Sequence, residues 1–177
     1  NEVIHVEGWS VVEVLEAGAS EPTLVTAEGW RADHPSPFGW IDDVAWADDG
    51  GALAFTVSFD GHPTALYVAE GPPGELRLEE LERPQGHSVV GGSARWRPAS
   101  RDLCLRGDIR ARCRLVAAEV RGGSVGAWRE LTPGDVTIDA FAFDASGRTP
   151  VVVTATTTGA PDAHLVAGDG RLDRLTD

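Results

Sequence analysis

The sequence predicts an all-β protein built from β-propeller blades, and three observations lead to this fold class. Short runs rich in Val, Leu, Ala, Thr and Phe recur along the 177 residues, as in residues 52–58, 64–70 and 149–156, with Asp-Gly, Gly-Gly and Pro-Gly pairs between runs. Apolar residues at helical spacing over three turns are not found. The third observation is an internal repeat of roughly 50 residues. Short strands with frequent turns favour a sandwich, barrel or propeller, and a repeat of this length favours four-stranded propeller blades.

Two sequence positions that recur with nearly the same period define the repeat. One is an aromatic residue that recurs at spacings of 50 and 47 residues: Trp46, Trp96 and Phe143. The other is a leucine that recurs at spacings of 49 and 50 residues: Leu66, Leu115 and Leu165. Each repeat is interpreted as a four-stranded antiparallel sheet, which buries both faces only when it stacks against neighbouring sheets. We expect the aromatic position to fill the space between the sheets.

The whole chain, residues 1–177, is interpreted as one propeller segment of about three and three-quarter blades. Residues 1–40 are expected to form an incomplete first blade and its connection, followed by blades at 41–86, 87–135 and 136–177. Propellers usually need at least four blades to close a ring. We therefore expect a fragment of a larger propeller, or pairing with a second copy or an adjacent domain that covers the open edges.

The charge of the chain is strongly negative and unevenly distributed. The net charge is −13; residues 1–90 hold 17 acidic and 3 basic side chains, whereas residues 91–135 hold 9 arginines against 5 acidic side chains. Such an acidic chain repels phosphate backbones and anionic lipid, so neither nucleic acid nor a membrane surface is an expected partner. The arginines of the central segment are assigned to solvent-facing strand positions. No apolar run approaches the ~20 residues of a membrane span.

One motif suggests catalysis and is rejected on its context. Residues 122–126 match G-x-S-x-G, which would make Ser124 a nucleophile if a helix followed it. The next residues, 127–135, are interpreted as a fourth strand, so the glycines are expected to form the turn between the third and fourth strands. The five histidines lack zinc-ligand spacing, and the aspartates at 42–49 lack the calcium-loop pattern and are assigned to turns. We predict no catalytic residue, metal site or cofactor.

Two pairs of residues keep alternative interpretations. Cys104 and Cys113 lie symmetrically about Asp108–Ile109 in a predicted hairpin, and opposed residues in a hairpin have Cβ atoms ~4.5–5.5 Å apart. That separation is near disulfide reach, so the alternatives are a disulfide or two buried, reduced cysteines. Trp30 and Trp40 bracket a long loop. They either contact a ligand or partner or anchor the loop on the sheet.

The repeat resembles a known group. Residues 44–71, "VAWADDGGALAFTVSFDGHPTALYVAEG", and residues 170–177, "GRLDRLTD", are similar to the TolB-type propeller repeat. The same repeat builds the N-terminal propeller of prolyl-oligopeptidase-family serine peptidases, including acylaminoacyl peptidases. The resemblance covers most of residues 41–177. The second repeat departs most, because "RPASRD" at 97–102 lacks the Asp-Gly turn. No catalytic residue of the peptidase family maps onto this sequence.

The resemblance implies a non-catalytic role. In the peptidases the propeller limits substrate access and supports a separate α/β-hydrolase domain. The alternative is a TolB-like protein-interaction propeller of a non-peptidase envelope or signalling protein. The implied partner is a protein or peptide in both cases. The compartment is cytoplasmic for a peptidase propeller and extracytoplasmic if Cys104 and Cys113 form a disulfide.

Overall fold

The computed structural model describes residues 10–27, 29–59, 61–72, 74–155 and 159–176, and every regular element in those ranges is a β-strand. The N-terminal segment holds one small antiparallel pair: β1 (Glu13–Val14) and β2 (Thr23–Leu24). The part of the expected incomplete blade that falls on residues 1–9 lies outside the described residues. Within the described ranges, no helix is long and apolar enough to cross a membrane.

Three antiparallel sheets follow, here called blades A, B and C. Blade A contains β3 (Trp40–Trp46), β4 (Ala52–Phe59), β5 (His62–Glu70) and β6 (Arg77–Glu80). Blade B contains β7 (Ser88–Val89), β8 (Arg95–Trp96), β9 (Asp102–Ile109), β10 (Arg112–Arg121), β11 (Ser124–Val125) and β12 (Arg129–Glu130). Blade C contains β13 (Thr137–Phe143), β14 (Pro150–Ala155), β15 (Asp162–Val166) and β16 (Leu172–Arg174).

Each blade is a four-stranded meander in which sequential strands pair. In blade B the first and last strands are each interrupted: β7 and β8 both pair with β9, and β11 and β12 both pair with β10. The interruptions leave the four-stranded order unchanged. Successive four-stranded antiparallel sheets are the architecture of propeller blades, so the predicted fold class is confirmed.

The blades stack face to face. Successive residues of a strand point to opposite faces of the sheet, so each blade contributes side chains to two different cores. On one face of blade A, Phe55 packs against the N-terminal segment. On the other face, Leu66 shares a core with Leu103 of blade B. The opposite face of blade B places Leu115 in a core with Val152 of blade C. The layers therefore follow the order N-terminal segment, blade A, blade B, blade C.

The aromatic repeat position faces the preceding layer. Trp96 is 6% exposed in the core between blades A and B, and its Nε1 donates to the carbonyl of Ala45 at 3.0 Å. Phe143 packs on the core between blades B and C. Trp46 pairs across the sheet with Leu53, on the face toward the N-terminal segment, and is 42% exposed. The expectation that all three aromatics fill inter-sheet space was wrong for Trp46, because the described part of the N-terminal segment does not cover it.

The leucine repeat position faces the following layer. Leu66 of β5 points toward blade B and Leu115 of β10 points toward blade C, and both are fully buried. Leu165 of β15 has the same position in blade C and pairs with Val151 on the outer face, which Val153 also shares. These three side chains are only partly buried. No further sheet of the described residues packs on this face.

Several arginines of the central segment join the blades, so the assignment to solvent-facing strand positions holds for Arg121, which is 75% exposed, but was wrong for those that contact a neighbouring blade. Arg95 forms an ion pair with Asp43 of blade A at 2.6 Å, and Arg101 forms one with Asp49 at 2.8 Å. Arg114 is 8% exposed and donates to two carbonyls in the connection to blade C. The basic segment is therefore placed between acceptors on both neighbouring blades.

Candidate functional site

Three aromatic side chains pack on one another at one end of blade A, and we call them the Trp40 surface: Trp40, Phe59 and His62. Trp40 begins β3, Phe59 ends β4 and His62 begins β5, so the three residues lie at the same end of the sheet. The rings of Trp40 and Phe59 stack with centroids 5.8 Å apart, and Phe59 lies 5.9 Å from His62. Trp40 is 44% exposed.

The strand below the Trp40 surface determines its geometry. Trp40 pairs with Ser58, and the register of β4 against β5 shifts between Val57 and Phe59. A β-bulge of this kind redirects the side chain that follows it, and here Phe59 pairs with His62 beside the indole of Trp40. Val57 lies in the core of blade A. The exposed aromatics are thus carried by a buried and well-paired part of the sheet.

The charges next to the Trp40 surface are acidic. Asp42 lies two residues along β3, on the same face as Trp40, and no described residue forms an ion pair with it. Asp43 is already paired with Arg95. An exposed indole next to an uncompensated carboxylate favours a cationic group, because the ring face attracts cations and the carboxylate adds Coulomb attraction.

Trp30 occupies a different environment from Trp40. Its ring lies edge-on against Tyr67 at 4.8 Å and Phe55 at 6.0 Å, on the face of blade A that the N-terminal segment covers. The guanidinium of Arg31 lies 5.7 Å from the centre of the Trp30 ring. These contacts are those of a loop anchor. The structure does not join Trp30 and Trp40 in one site, and a partner contact at Trp30 stays a prediction.

A partly buried polar cluster beside Trp30 has no signal in the sequence, because its two halves, Arg31 with His34 and Tyr67 with Glu80, are distant along the chain. Tyr67 donates a hydrogen bond to Glu80 at 2.9 Å, and His34 lies 3.6 Å from the same carboxylate. Arg31 Nη2 lies 3.0 Å from His34 Nδ1, while the buried Arg31 Nε has no hydrogen-bond partner among the described atoms. Burial raises the pKa of Tyr67, and the hydrogen bond to Glu80 raises it further. The cluster fixes the loop after Trp30 on blade A.

Ser124 lies in a tight hairpin, as the sequence predicts. Gly122 and Gly123 have φ values of 58° and 73° and connect Arg121 to its cross-strand partner Ser124. Only strands and turns follow in the described part of the chain. The N–H of Gly123 donates to Glu70 of blade A at 2.5 Å. The motif therefore contributes to the contact between two blades.

The hairpin that carries the cysteines has a different register from the predicted one. Its turn is at Arg110–Ala111, with φ values of 50° and 58°, and Cys113 pairs with Asp108. Cys104 is four residues farther along β9, about 13 Å at the usual rise per residue, which is beyond disulfide reach. Both thiols are free and buried. Burial is the largest cause that raises the pKa of each thiol to about 12. The expected symmetry about Asp108–Ile109 was wrong.

No group of three or more His, Cys, Asp and Glu side chains is placed to hold a metal ion within the described ranges. The stacked four-stranded sheets define this chain as a set of β-propeller blades. Comparison with family models and with curated proteins finds no match. Among solved structures, the chain is similar to TolB from Acinetobacter baumannii, with a TM-score of 0.41 and 14% identity over 94% of this chain and 48% of that one. The chain thus spans about half the length of that structure.

Proposed function

We propose that this chain is a protein-binding propeller segment and that its Trp40 surface contacts the partner. The observation that carries the proposal is the exposed stack of Trp40 on Phe59. Large aromatic residues on a rigid scaffold dominate the binding energy of many interfaces. Trp in particular supplies a large apolar area together with a polar N–H.

The charge of the chain specifies the kind of partner. Residues 1–90 contain 17 acidic and 3 basic side chains, and Asp42 next to the stack has no ion-pair partner among the described residues. A segment of partner that combines lysine or arginine with an apolar side chain satisfies both the carboxylate and the indole face. The proposed partner is therefore a basic protein segment or peptide.

Selection from a displayed library of short peptides tests this function. We expect peptides enriched in Lys and Arg, and we expect Trp40→Ala to weaken their binding about 10-fold or more, as for a residue at the centre of an interface. Leu175→Ala is the matched control, because Leu175 is also exposed, at 51%, but lies at the C-terminal end of blade C. Binding should weaken with added salt. Equal losses for the two variants, or peptides without basic residues, would contradict the proposal.

The resemblance of residues 44–71 to peptidase propellers supports a second candidate, a non-catalytic part of a prolyl-oligopeptidase-like peptidase. In this role the chain limits access to a separate hydrolase domain and needs no cofactor. Added to an isolated catalytic domain of that family, it should slow the cleavage of protein substrates more than that of short peptides. Ser124→Ala is the internal control: a hydrolytic activity of the isolated chain that this variant abolishes would overturn a non-catalytic role.

We also propose that a further blade of the same repeat packs on the outer face of blade C. Leu165 has the repeat position through which Leu66 and Leu115 contact the next blade. Val151 and Val153 extend the partly exposed apolar surface around it. A second copy or an adjacent domain that supplied such a blade would complete this interface with the same geometry as the two internal ones.

A further inference from the structure

A groove of about 380 Å³ lies between blades B and C, and three arginines line it. Arg97 follows β8 and Arg129 begins β12, both in blade B, whereas Arg148 precedes β14 of blade C. Arg97 is fixed across the two blades, because its Nε donates to the carbonyl of Gly147 and its Nη2 donates to the carbonyl of Arg148 at 2.7 Å. Arg97 is therefore held in place at the groove, beside Arg129 and Arg148.

The guanidinium groups outnumber the carboxylates that contact them. Asp102 is shared: its Oδ2 lies 3.7 Å from Arg97 Nη1 and also accepts a hydrogen bond from Arg129 Nη2. The side chain of Arg148 forms no ion pair or hydrogen bond with any described residue. One carboxylate thus pairs with two of the three guanidinium groups, and that of Arg148 is left without a described partner.

Two other carboxylates at the groove have different contacts. Glu130 Oε1 lies 3.3 Å from Nε2 of His87. Asp169 Oδ1 accepts a hydrogen bond from the backbone N–H of Arg171 within its own turn. Neither carboxylate contacts Arg129 or Arg148. The guanidinium of Arg148 is therefore available to a ligand.

The floor of the groove is apolar. Leu131, Pro150 and Val166 line it, and Val166 is one of the buried residues of the core between blades B and C. A volume of this size lies within the range of about 300–1,000 Å³ that small-ligand sites occupy. An inorganic anion would leave the floor uncovered. A ligand that combines a charged group with an apolar body fits both parts of the groove.

We propose that this groove binds an organic carboxylate. The carboxylate pairs with Arg148 and Arg129, since the guanidinium fork matches its two oxygens, and the apolar body covers Leu131 and Pro150. The site is separate from the Trp40 surface and does not depend on that proposal.

Calorimetric titration of the whole chain with N-acetyl-leucine and N-acetyl-leucinamide tests the charge requirement. The acid should bind about 10-fold tighter than the amide, because only the acid forms charge-assisted hydrogen bonds. Inorganic phosphate should bind more weakly than the acid, because it does not contact the floor. Isocaproate has the same apolar group and carboxylate but lacks the peptide group. Tighter binding of isocaproate than of N-acetyl-leucine would identify a free acid as the ligand, and weaker binding would identify the carboxyl end of a peptide. Equal binding of acid and amide, or tighter binding of phosphate, would overturn the proposal.

Two matched variants locate the site. Arg148→Gln should weaken the binding of N-acetyl-leucine about 10-fold, as expected for loss of a bidentate pair. Arg148→Lys, which keeps the charge and loses the fork, should give a smaller loss. Arg121→Gln is the control, since this arginine is 75% exposed and pairs only with Glu119 among the described residues. Equal losses for Arg148→Gln and Arg121→Gln would refute the assignment.

Discussion

The leucine position of the repeat allows a quantitative prediction of unfolding free energies. The same residue type has the same position in three blades, but its side chain is buried to a different extent in blade C than in blades A and B. A Leu→Ala change removes about three methylene equivalents at ~0.8 kcal/mol each, or about 2.4 kcal/mol, and a buried site adds a cavity term that brings the cost to about 3–4 kcal/mol. Leu66→Ala and Leu115→Ala should both reach this cost, since both side chains are fully buried between blades. Leu165→Ala should cost about 1 kcal/mol or less, because a partly solvated side chain leaves no closed cavity.

Urea denaturation followed by tryptophan fluorescence gives the free energies of unfolding for the three variants. The expected order places Leu165→Ala close to the unmodified chain and the other two far below it. If Leu165→Ala cost as much as Leu115→Ala, the prediction for the single chain would be refuted, and a second copy that supplies the proposed further blade would have to cover the outer face of blade C in solution. The same denaturation experiment at higher protein concentration shows whether a second copy packs on this face, because stability that depends on a second copy rises with concentration.

Two other predictions concern the contacts between blades. Arg114→Met should lower the free energy of unfolding by about 3 kcal/mol, because two charge-assisted hydrogen bonds to the connection with blade C are lost. The control Arg121→Met should lower it by less than about 0.5 kcal/mol. Similar losses for the two variants in urea denaturation would show that Arg114 does not join the blades. Cys104 and Cys113 should resist alkylation in the folded chain and titrate as two thiols after unfolding without reductant. Burial raises the pKa of each thiol from 9.0 to about 12 in the folded state. Their contribution to stability should therefore be complete below pH 9 and be lost as the pH rises toward 12. Rapid alkylation of the folded chain at pH 8 would contradict the burial.

The blade architecture follows from the sequence because the signals that specify it are local and periodic. The short apolar run at residues 52–58 predicts a strand, and the two repeat positions predict where each strand lies in its sheet. The structure adds a direction: Trp96 contacts the preceding layer and Leu115 the following one. Which neighbouring layer each position contacts depends on the order in which the blades stack. A short stretch of sequence carries no information about that order.

The hairpin registers could not be predicted, because non-glycine residues adopt the left-handed backbone region at several turns. Arg110 and Ala111 both have positive φ in the turn between β9 and β10, and Ala99 has a φ of 53° in the turn that lacks Asp-Gly. Glycine, asparagine and aspartate are the residues that usually mark such positions. Without those markers, a symmetric hairpin around Asp108–Ile109 was the natural expectation, and it misplaced Cys113 by four positions along β9.

The candidate site was predictable only in part. Trp40 stands out in the sequence as a large aromatic residue outside the repeat positions, but its stack on Phe59 depends on a bulge after Val57. Bulges insert one residue without a strong sequence signature. The same holds for the groove between blades B and C, since its arginines come from 97, 129 and 148 and meet only when two blades stack.

The unequal charge of the chain has one physical explanation that covers both its assembly and its proposed ligand site. Arginine offers five donors in a rigid fork, so one side chain can join several acceptors on a neighbouring blade. Arg101 does this with Asp49 and Glu70, and Arg97 does it with two backbone carbonyls, which add no negative charge. Asp102 pairs with Arg97 and Arg129, so Arg148 is the guanidinium of the groove between blades B and C that has no ion-pair partner among the described residues. An anion at the adjacent groove is therefore the expected consequence of how these two blades are joined.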